Sequence, residues 1–390
     1  MGGLDADVTP AEPVGARTGD GRRRTFGIEE ELLLVSPETG EAVPMAAGLL
    51  EGYRRPAGPG GGPFLTAEFQ QEMIEVVTPP HSTMAALEAD VIAGRALADA
   101  EGRKIGVRVA ALGTSPLPCD PHPAALRRFA AMTHEYGLTA REQLTCGCHI
   151  HVSVESDEEG VAVLDRIRTW LPVLSALSAN SPFWHGQNSG YASYRAQVWS
   201  RWPSAGPLGV LGSAEAYHQL VHDMVSTGVV LDEGMVYFDA RLSRHYPTVE
   251  IRIADVCLRP QNAVLLAGIV RGVVETAARE WQEGVPAQAV PTELLRLAGW
   301  KASRWGLGGD LLDPVSYQPT PAVAVVNALL EHIMEALEDS GDLHRVEELI
   351  DDLLYAGTGA SRQLEVLHRT GELEDVVADA ANCTVWIPAD

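Results

Sequence analysis

Three consecutive glutamates interrupt an apolar stretch near the start of the chain, in TFGIEEELLLV at residues 25–35. The stretch has the composition of a β-strand, in which successive side chains point to opposite faces. Glu29 and Glu31 then share one face with Gly27, and Glu30 lies on the other. Two adjacent carboxylates in a half-buried setting both stay ionised only if a cation or arginines compensate them. The pattern indicates a metal site or an arginine-lined site; the alternative is the solvated face of an edge strand.

Two later segments repeat this design of one apolar face and one polar face. In QLTCGCHIHVSVE, strict alternation places His149 and His151 opposite the apolar side chains. In TVEIRIA, Glu250 and Arg252 alternate with valine and isoleucine in the same way. An antiparallel sheet commonly buries one face and leaves the other accessible. If these strands are neighbours, their polar face becomes a floor of carboxylates and imidazoles.

A further acidic segment, FLTAEFQQEMIEVVTP, carries Glu68, Glu72 and Glu75 and ends in a strand that two prolines stop. On one regular strand, Glu68 and Glu72 share a face and Glu75 lies opposite. A site that contains both Glu68 and Glu75 therefore needs a bulge or a chain reversal between them. The sequence leaves these two possibilities open.

Two arginines accompany the acidic strands. Arg252 follows Glu250 by two residues, and Arg241 lies on a strand expected at 236–242. Arg252 could form only an ion pair with Glu250, or it could hold an anionic substrate. Carboxylate oxygens favour hard cations, Mg²⁺ or Mn²⁺, over zinc. The sequence lacks GxxxxGK[ST], a strand-linked GxGxxG and HExxH, so a bound nucleotide would occupy a site without a P-loop.

Apolar residues at helical spacing predict four helical segments. Thr83 is a good N-cap for a helix that continues to Lys104, and an amphipathic helix is expected over 160–180, with Pro172 inside it or at a kink. Further mostly helical segments are expected at 260–281 and at about 320–379.

The composition of four segments predicts two loops and two terminal tails. The glycine-rich segment 54–63 is expected to form a flexible surface loop, and the aromatic-rich segment 181–207 an ordered loop with functional content. We expect a disordered tail at 1–23, a single catalytic domain at 24–380 and a C-terminal tail at 381–390, and we expect Arg22 to Arg24 to stay solvated.

Composition limits the class of partner. Of 390 residues, 53 are acidic and 29 basic, and the resulting net charge of −24 argues against nucleic acid as a partner. No apolar run approaches the roughly 20 residues that span a bilayer, which argues against membrane insertion. Five cysteines are too few for a disulfide scaffold in a chain of this length, and the N-terminus lacks a signal-peptide core. A reducing cytoplasm is therefore expected.

The order of the motifs resembles a known family. The chain contains in succession GIEEELLLV, EFQQEMIEVVTP, CGCHIHVSV, SPFWHGQNSGYASYRAQVWSRWPSAGP and PTVEIRIAD, over roughly residues 25–380. As a set, they resemble the glutamate-cysteine ligase type 2 family, specifically its YbdK-type carboxylate-amine ligases. The resemblance implies an α+β, glutamine-synthetase-like catalytic fold, with a curved, mostly antiparallel sheet, helices on its outer face and MgATP on its inner face. It also suggests a homodimer.

The resemblance implies roles for individual residues as well. The metal ligands would be Glu29, Glu31, Glu68, Glu75, His149 and Glu250. Arg252 and Arg241 would be catalytic residues that face phosphate or the substrate carboxylate. Arg195, in the SYR sequence, is a candidate substrate-binding residue of the same kind, and His151 is another on the floor.

The reaction implied has two steps and uses Mg²⁺ or Mn²⁺ with ATP as co-substrate. ATP phosphorylates a carboxylate, nominally the γ-carboxylate of L-glutamate, and an amine, nominally L-cysteine, then attacks the acyl phosphate to give an amide, ADP and phosphate. Charge neutralisation by cations and arginines suits phosphoryl transfer. The residues leave two other functions open: a metal-dependent hydrolase on the same His and Glu floor, which would need no ATP, and a non-catalytic nucleotide or metabolite sensor.

Overall fold

An antiparallel sheet carries all the acidic strands. The computed structural model describes residues 23–55 and 61–385. Its strands are β1 (Phe26–Val35), β2 (Phe64–Ala67), β3 (Met73–Val77), β4 (Arg108–Ala110), β5 (Gly147–Ser153), β6 (Phe183–Trp184), β7 (Gln187–Asn188), β8 (Ala240–Leu242), β9 (Thr248–Asp255), β10 (Asp310–Leu312) and β11 (Pro319–Pro321). Seven of them form the main sheet in the order β2-β3-β1-β5-β9-β8, with β4 paired to the C-terminal end of β1. Two small hairpins, β6-β7 and β10-β11, lie outside it.

Strand β1 occupies the middle of this sheet, so the alternative of an edge strand is excluded. It pairs antiparallel with β3 on one side and with β5 on the other. Its side chains alternate between the two faces, and Glu30 points away from Glu29 and Glu31 to the face that the helices cover. There Glu30 forms two hydrogen bonds with the buried Arg95, at 2.8 and 2.6 Å. The alternation expected for this strand is confirmed.

Fourteen α-helices surround the sheet in the described chain. They are α1 (Ala46–Leu50), α2 (Met84–Lys104), α3 (Arg127–Tyr136), α4 (Leu138–Glu142), α5 (Asp157–Ile167), α6 (Leu171–Leu177), α7 (Tyr194–Trp199), α8 (Ala214–Ser226), α9 (Pro260–Gln282), α10 (Thr292–Trp305), α11 (Ala322–Ser340), α12 (Leu343–Ala356), α13 (Gly359–Thr370) and α14 (Leu373–Thr384). Thr83 caps α2 by accepting a hydrogen bond from the backbone N–H of Ala86, as expected.

The long helix α9 covers the apolar face of the sheet. It packs against β1 and β5, and α5 and α11 pack against it in turn. Ile28, Ile150 and Ile251 from three adjacent strands lie in the same buried core as this helical layer. Burial of this face stabilises the sheet at roughly 25 cal/mol per Å² of apolar surface. The opposite face carries the polar side chains, so the expected α+β fold with a largely antiparallel sheet and one helical face is confirmed.

A chain reversal settles the position of Glu68 and Glu75. Strands β2 and β3 pair antiparallel, with Ala67 opposite Ile74. The turn between them carries Glu68 back beside Glu75, whereas the fully buried Glu72 points elsewhere and accepts a hydrogen bond from the backbone N–H of His122. The acidic segment is therefore a hairpin and not a single strand.

Two expected elements differ in the structure. The single helix expected over 160–180 is two helices, α5 and α6, and Pro172 lies in the first turn of α6. Proline suits a helix start because its missing N–H has no partner there in any case. The strand expected at 236–242 is shorter, since only Ala240–Leu242 belongs to the sheet. A 3₁₀ turn at Glu233–Met235 precedes it, and Phe238, between the turn and the strand, pairs with Gly206 outside the sheet.

The ends of the chain also correct an expectation. Arg24, expected to be solvated, is buried and pairs with Glu159 and Glu275. Residues 381–384, expected to begin a C-terminal tail, are instead the end of α14. Residues 1–22, most of the expected N-terminal tail, lie outside the described residues, as do 56–60 of the glycine-rich loop and 386–390.

Helices α1, α3, α4, α7, α8 and α10 were not predicted from the sequence, and α7 lies within segment 181–207, which was expected to be a loop. No helix in the described part of the chain combines the length and apolar character needed to cross a membrane.

Candidate active site

The polar side chains of five neighbouring strands meet on one floor. The antiparallel registers place these residues directly opposite one another: Glu31 and Glu75, Glu29 and His149, His151 and Glu250, and Arg241 and Glu250. Side chains that are paired in this way across a sheet lie close enough to interact. The floor expected from the alternation of separate strands therefore forms because those strands are neighbours.

A cavity of about 310 Å³ opens over this floor. Nine of the ten candidate site residues line it: Glu29, Glu31, Glu68, Glu75, His149, His151, Arg241, Glu250 and Arg252. This volume lies at the lower end of the range for small-molecule sites. The cavity is thus a candidate site for a small substrate.

Three overlapping groups of side chains on the floor could each hold a cation. Within each group the potential ligand atoms lie within 4.8 Å of one another: Glu29, Glu75 and His149; Glu29, His151 and Glu250; and Glu31, Glu68 and Glu75. Both ring nitrogens of His149 and Nε2 of His151 are buried without a hydrogen-bond partner. Buried polar atoms normally have partners. The surrounding carboxylates fit Mg²⁺ or Mn²⁺, and an unpaired imidazole nitrogen can supply one further ligand atom.

Glu29 lies between the two histidines, and the three groups affect one another's ionisation. Nδ1 of His149 lies 3.5 Å and Nε2 of His151 lies 3.4 Å from the Glu29 carboxylate. Burial opposes ionisation of Glu29, but His151 and His149 hold its pKa well below the usual range. Burial and the nearby Arg252 lower the pKa of His149, whereas Glu29 outweighs burial and raises the pKa of His151. Glu29 therefore stays ionised between the rings.

The pKa of Glu68 and that of Glu75, beside the β2-β3 hairpin, are raised, whereas the pKa of Glu29 is lowered. Burial and Glu31 raise the pKa of Glu68 to about 7. Burial and the neighbouring carboxylates raise the pKa of Glu75 well above its usual range. Like charges that share a poorly solvated site disfavour ionisation, and a bound cation would reverse this effect. This corner of the floor has the electrostatics of a cation site.

Glu250 is held between two arginines. Nε of Arg241 donates to Glu250 at 2.7 Å, and Arg252 donates to the other carboxylate oxygen. Burial opposes ionisation, but the two guanidinium groups hold the pKa of Glu250 well below its usual range. The ion pair between Arg252 and Glu250 is thus formed. Both arginines also line the cavity, so their contact with an anionic substrate stays a prediction.

Arg195 occupies a different place from the one expected for a substrate-binding residue. It is buried and does not line the cavity. Its guanidinium donates to the backbone carbonyls of Arg252 and Ile253, at 3.4 and 3.3 Å. Arg195 therefore supports β9, which carries Glu250 and Arg252. The pairing of β5 with β9 contains a bulge here. At this bulge the two carbonyls accept hydrogen bonds from Arg195, which lies outside the sheet.

The cavity has an aromatic side that motif analysis of the sequence did not assign. We call this side the aromatic wall, and it consists of Phe69, Phe129, Trp199, Trp202 and Tyr237. Ring centroids of Trp199 and Tyr237 lie 4.8 Å apart, and those of Phe69 and Phe129 lie 5.1 Å apart. The aromatic density of segment 181–207, which supplies Trp199 and Trp202, was the one signal for this wall in the sequence. Trp184, in the same segment, lies outside this cavity.

Comparisons with known proteins agree with this architecture. The family model described as glutamate-cysteine ligase family 2 (GCS2) matches residues 25–379. A Streptomyces avermitilis protein, provisionally named glutamate–cysteine ligase 2-1, is 54% identical over 361 residues, which cover 93% of this chain and 99% of that protein. A Paenarthrobacter aurescens protein with the same provisional name is 51% identical over 364 residues, covering 93% and 95%.

Solved structures show the same fold at low sequence identity. The Francisella tularensis glutamate–cysteine ligase in complex with AMP has a TM-score of 0.68 at 14% identity, covering 93% of this chain and 88% of that one. The ligase PafA, in complex with the ubiquitin-like protein Pup, has a TM-score of 0.52 at 15% identity, covering 92% and 73%. The chain therefore belongs to glutamate-cysteine ligase family 2 (GCS2) and is a carbon–nitrogen-bond-forming ligase of the glutamate–cysteine ligase type.

Proposed function

We propose that this protein is an ATP-dependent carboxylate-amine ligase that forms a γ-glutamyl amide through an acyl phosphate. In the first step, an oxygen of the donor carboxylate bonds to the γ-phosphorus of ATP, and the bond from that phosphorus to ADP breaks. In the second step, the nitrogen of the amine bonds to the acyl carbon, and the carbon–oxygen bond to phosphate breaks. The amine loses a proton, and phosphate departs with the electron pair. L-glutamate is the proposed donor, and the relatives' names indicate L-cysteine as the nominal acceptor.

The observation that carries this proposal is the pairing of an acidic floor with the buried Arg252 and the half-buried Arg241 in one cavity. Phosphoryl transfer needs little covalent help from the protein, but it needs charge neutralisation and positioning. Arg241 and Arg252 are the residues that would contact the transferred phosphoryl group or the donor carboxylate. Membership of a ligase family and the fold shared with an AMP-bound glutamate–cysteine ligase support the use of ATP.

The carboxylates and His149 would hold Mg²⁺, or Mn²⁺ in its place. The proposed ligands are Glu29, Glu31, Glu68, Glu75, His149 and Glu250, all on the floor. When bound, the cation supplies positive charge that neutralises the phosphate oxygens. His151 either joins the group with Glu29 and Glu250 or contacts substrate, because its unpaired Nε2 lies on the same floor.

We also propose that the enzyme acts in the cytoplasm as a homodimer on small-molecule substrates. The net charge of −24 and the small cavity favour such substrates over nucleic acid. Size-exclusion chromatography with light scattering tests the oligomeric state, and a monomeric mass at micromolar concentration would contradict it.

ADP release tests the reaction itself. The purified protein is incubated with Mg²⁺, ATP and L-glutamate, with and without each member of a panel of amines that includes L-cysteine. We expect amine-dependent ADP release and a product with the mass of the γ-glutamyl amide. ADP without an amide product, or turnover that needs no ATP, would contradict a ligase and favour a hydrolase.

A further inference from the structure

A second cavity of about 240 Å³ lies in the helical layer. Its lining comes from the junction of α5 with α6, from α9 and α11, from segment 285–288 after α9, and from the turn between β10 and β11. Within the described chain, no residue lines both this cavity and the one over the acidic floor. Its volume falls below the roughly 300 Å³ at which sites for drug-sized ligands begin, so it suits a molecule about as large as one amino acid. The proposed ligase reaction does not use it.

Part of this lining is buried and apolar. Ile167, Val273 and Ala277 are each exposed by 3% or less. Trp170 adds an indole ring, on which the ring of His332 stacks, with centroids 5.0 Å apart and an angle of 22° between the planes. Because the indole already has this stacking partner, the apolar surface left for a ligand is mostly aliphatic. Such a surface suits a branched aliphatic group.

Two half-buried charged side chains, Arg166 and Glu280, line the same cavity, and neither pairs with an opposite charge among the described residues. Arg166 donates instead to the backbone carbonyls of Ala162 and Val285, at 2.9 and 2.5 Å. The Glu280 carboxylate lies 3.9 Å from the ring of His332. Burial lowers the pKa of His332, so at neutral pH this ring is largely uncharged and does not compensate Glu280. The cavity thus presents one positive and one negative group to a ligand.

The segment after α9 adds backbone donors to this site. Arg168, which is 2% exposed, donates to the carbonyls of Gln288 and Val290, at 2.7 and 2.9 Å, and so fixes the segment from its inner side. The backbone N–H groups of Ala287 and Gln288 have no acceptor in the part of the chain that the structure describes. Both residues line the cavity, so their N–H groups can assist a guanidinium in binding a carboxylate.

We propose that the second cavity binds a branched aliphatic α-amino acid, with its carboxylate on Arg166, its ammonium group on Glu280 and its side chain against the buried apolar lining. A zwitterion pairs both charges at once, whereas a simple amine or carboxylic acid pairs one and leaves the other without a partner. The ligand contacts α9, which also packs against β1 and β5, so its binding should stabilise the fold that carries the acidic floor. This site is independent of the proposed ligase reaction.

Matched ligands test the assignment on the full-length wild-type protein by isothermal titration calorimetry. L-Leucine is compared with 3-methylbutylamine, which lacks its carboxylate, with 4-methylpentanoate, which lacks its amino group, and with glycine, which lacks its side chain. L-Isoleucine is a second member of the proposed class. We expect L-leucine to bind at least about tenfold more tightly than each of the three smaller molecules, because each of them loses one of the three contacts.

Two variants assign the charges. Glu280→Gln and Arg166→Gln should each weaken the binding of L-leucine roughly tenfold. In Glu280→Gln the preference for L-leucine over 4-methylpentanoate should disappear, and in Arg166→Gln the preference over 3-methylbutylamine should disappear. Glu338→Gln and Arg369→Gln are the matched controls, because both residues are exposed and line neither cavity. If Arg166→Gln fails to fold, Glu280→Gln and the wild-type comparison still decide the proposal.

Hydrogen exchange locates the bound ligand. L-Leucine should slow exchange over residues 285–290 and the last turns of α9 in the wild type and less so in Glu280→Gln. Protection confined to the strands of the acidic floor would place L-leucine in the other cavity and overturn the proposal. Unchanged affinity for L-leucine in both variants, an amine or acid that binds as tightly as L-leucine, or no binding of either amino acid at concentrations up to about 10 mM would overturn it as well. All these outcomes leave the ligase proposal intact, because ADP release tests that proposal separately.

Discussion

At the scale of single residues, the direction of each of the three consecutive glutamates determines what it does. Glu29 and Glu31 face the cavity, where other carboxylates and imidazoles surround them. Glu30 faces the helical layer and pairs with Arg95, whose side chain also donates to the backbone carbonyls of Cys257 and Leu258. Neighbours in sequence thus face two different environments, the cavity and the helical layer.

Substitution of two adjacent glutamates should separate these two roles. Glu29→Gln should lower kcat on the order of 100-fold or more at little change in melting temperature, because it removes a proposed metal charge without changing shape. Glu30→Gln should lower the free energy of unfolding by roughly 3 kcal/mol, because it leaves the buried Arg95 charge uncompensated. Steady-state ADP release and denaturant unfolding measure the two effects.

The control for this pair is Glu38→Gln, since Glu38 is exposed in the turn after β1 and should affect neither quantity. Wild-type turnover in Glu29→Gln would remove Glu29 from the metal site. Unchanged stability in Glu30→Gln would show that the buried pair with Arg95 is replaceable by a neutral hydrogen bond.

At the scale of elements, the segment that supplies Trp199 and Trp202 is fixed to the end of β9. Asp255, the last residue of β9, accepts hydrogen bonds from the hydroxyl groups of Ser181 and Ser193, at 2.7 and 2.8 Å. It also accepts one from the backbone N–H of Asn180. The hydroxyl of Ser193 in addition caps α7, which carries Trp199. One buried carboxylate therefore connects the floor to the aromatic wall.

Asp255→Asn should loosen this segment without altering the floor chemistry directly. The amide nitrogen is a donor where the carboxylate was an acceptor, so at least one of the three hydrogen bonds is lost. We expect a loss of roughly 1–3 kcal/mol in stability. Hydrogen exchange should become faster over residues 180–199, because this segment loses part of its attachment to β9. Hydrogen-exchange mass spectrometry and denaturant unfolding measure these changes.

Asp313→Asn is the matched control, because Asp313 makes comparable hydrogen bonds in the exposed turn between β10 and β11. Faster exchange throughout the chain in Asp255→Asn, with no local excess at 180–199, would argue against a specific anchoring role.

At the scale of the whole molecule, the sheet combines a covered apolar face with an open acidic one. The helical layer stabilises the sheet, and this stability allows the polar face to hold carboxylates at unfavourable proximity. Glu68 and Glu75 illustrate the cost, because burial and neighbouring charges raise the pKa of both above the usual range. A cation that bound these groups would stabilise the entire fold by mass action.

The stability gained from Mg²⁺ should therefore increase with pH. The pKa of Glu68 is raised from an ordinary value of 4.5 to about 7, so the native state binds its proton more tightly than the unfolded state. In metal-free protein, this contribution to stability is fully present below pH 4.5 and is lost as the pH rises through about 7. Mg²⁺ competes with protons for these carboxylates, so it should raise the melting temperature more at pH 8 than at pH 5.5.

Thermal unfolding with EDTA and with Mg²⁺ at the two pH values tests this expectation. Mg²⁺ at a hundredfold excess over its dissociation constant would add about 2.7 kcal/mol. Glu68→Gln should be more stable than the wild type in EDTA at pH 8 and should gain less from Mg²⁺. An equal gain at both pH values would show that protons and Mg²⁺ do not compete at this corner of the floor.

The sequence by itself determined the local features of this protein. Alternation along β1, β5 and β9 placed Glu29, Glu31, His149, His151 and Glu250 on polar faces, because side-chain direction on a strand depends only on local geometry. Capping by Thr83 is equally local. The order of motifs indicated the family, which the matching family model over residues 25–379 confirms.

Only the tertiary structure decided which of these features meet. Glu68 and Glu75 lie side by side on the floor because the chain reverses between β2 and β3. The alternation of side chains along one segment does not predict such a reversal. Arg195 contacts the backbone of β9 and does not line the cavity, and Arg24 is buried rather than solvated. In both cases the partner that binds the guanidinium group lies far away in sequence. The aromatic wall combines residues from α3, α7 and the loops around them. Proximity between distant segments depends on packing, and local patterns do not specify it.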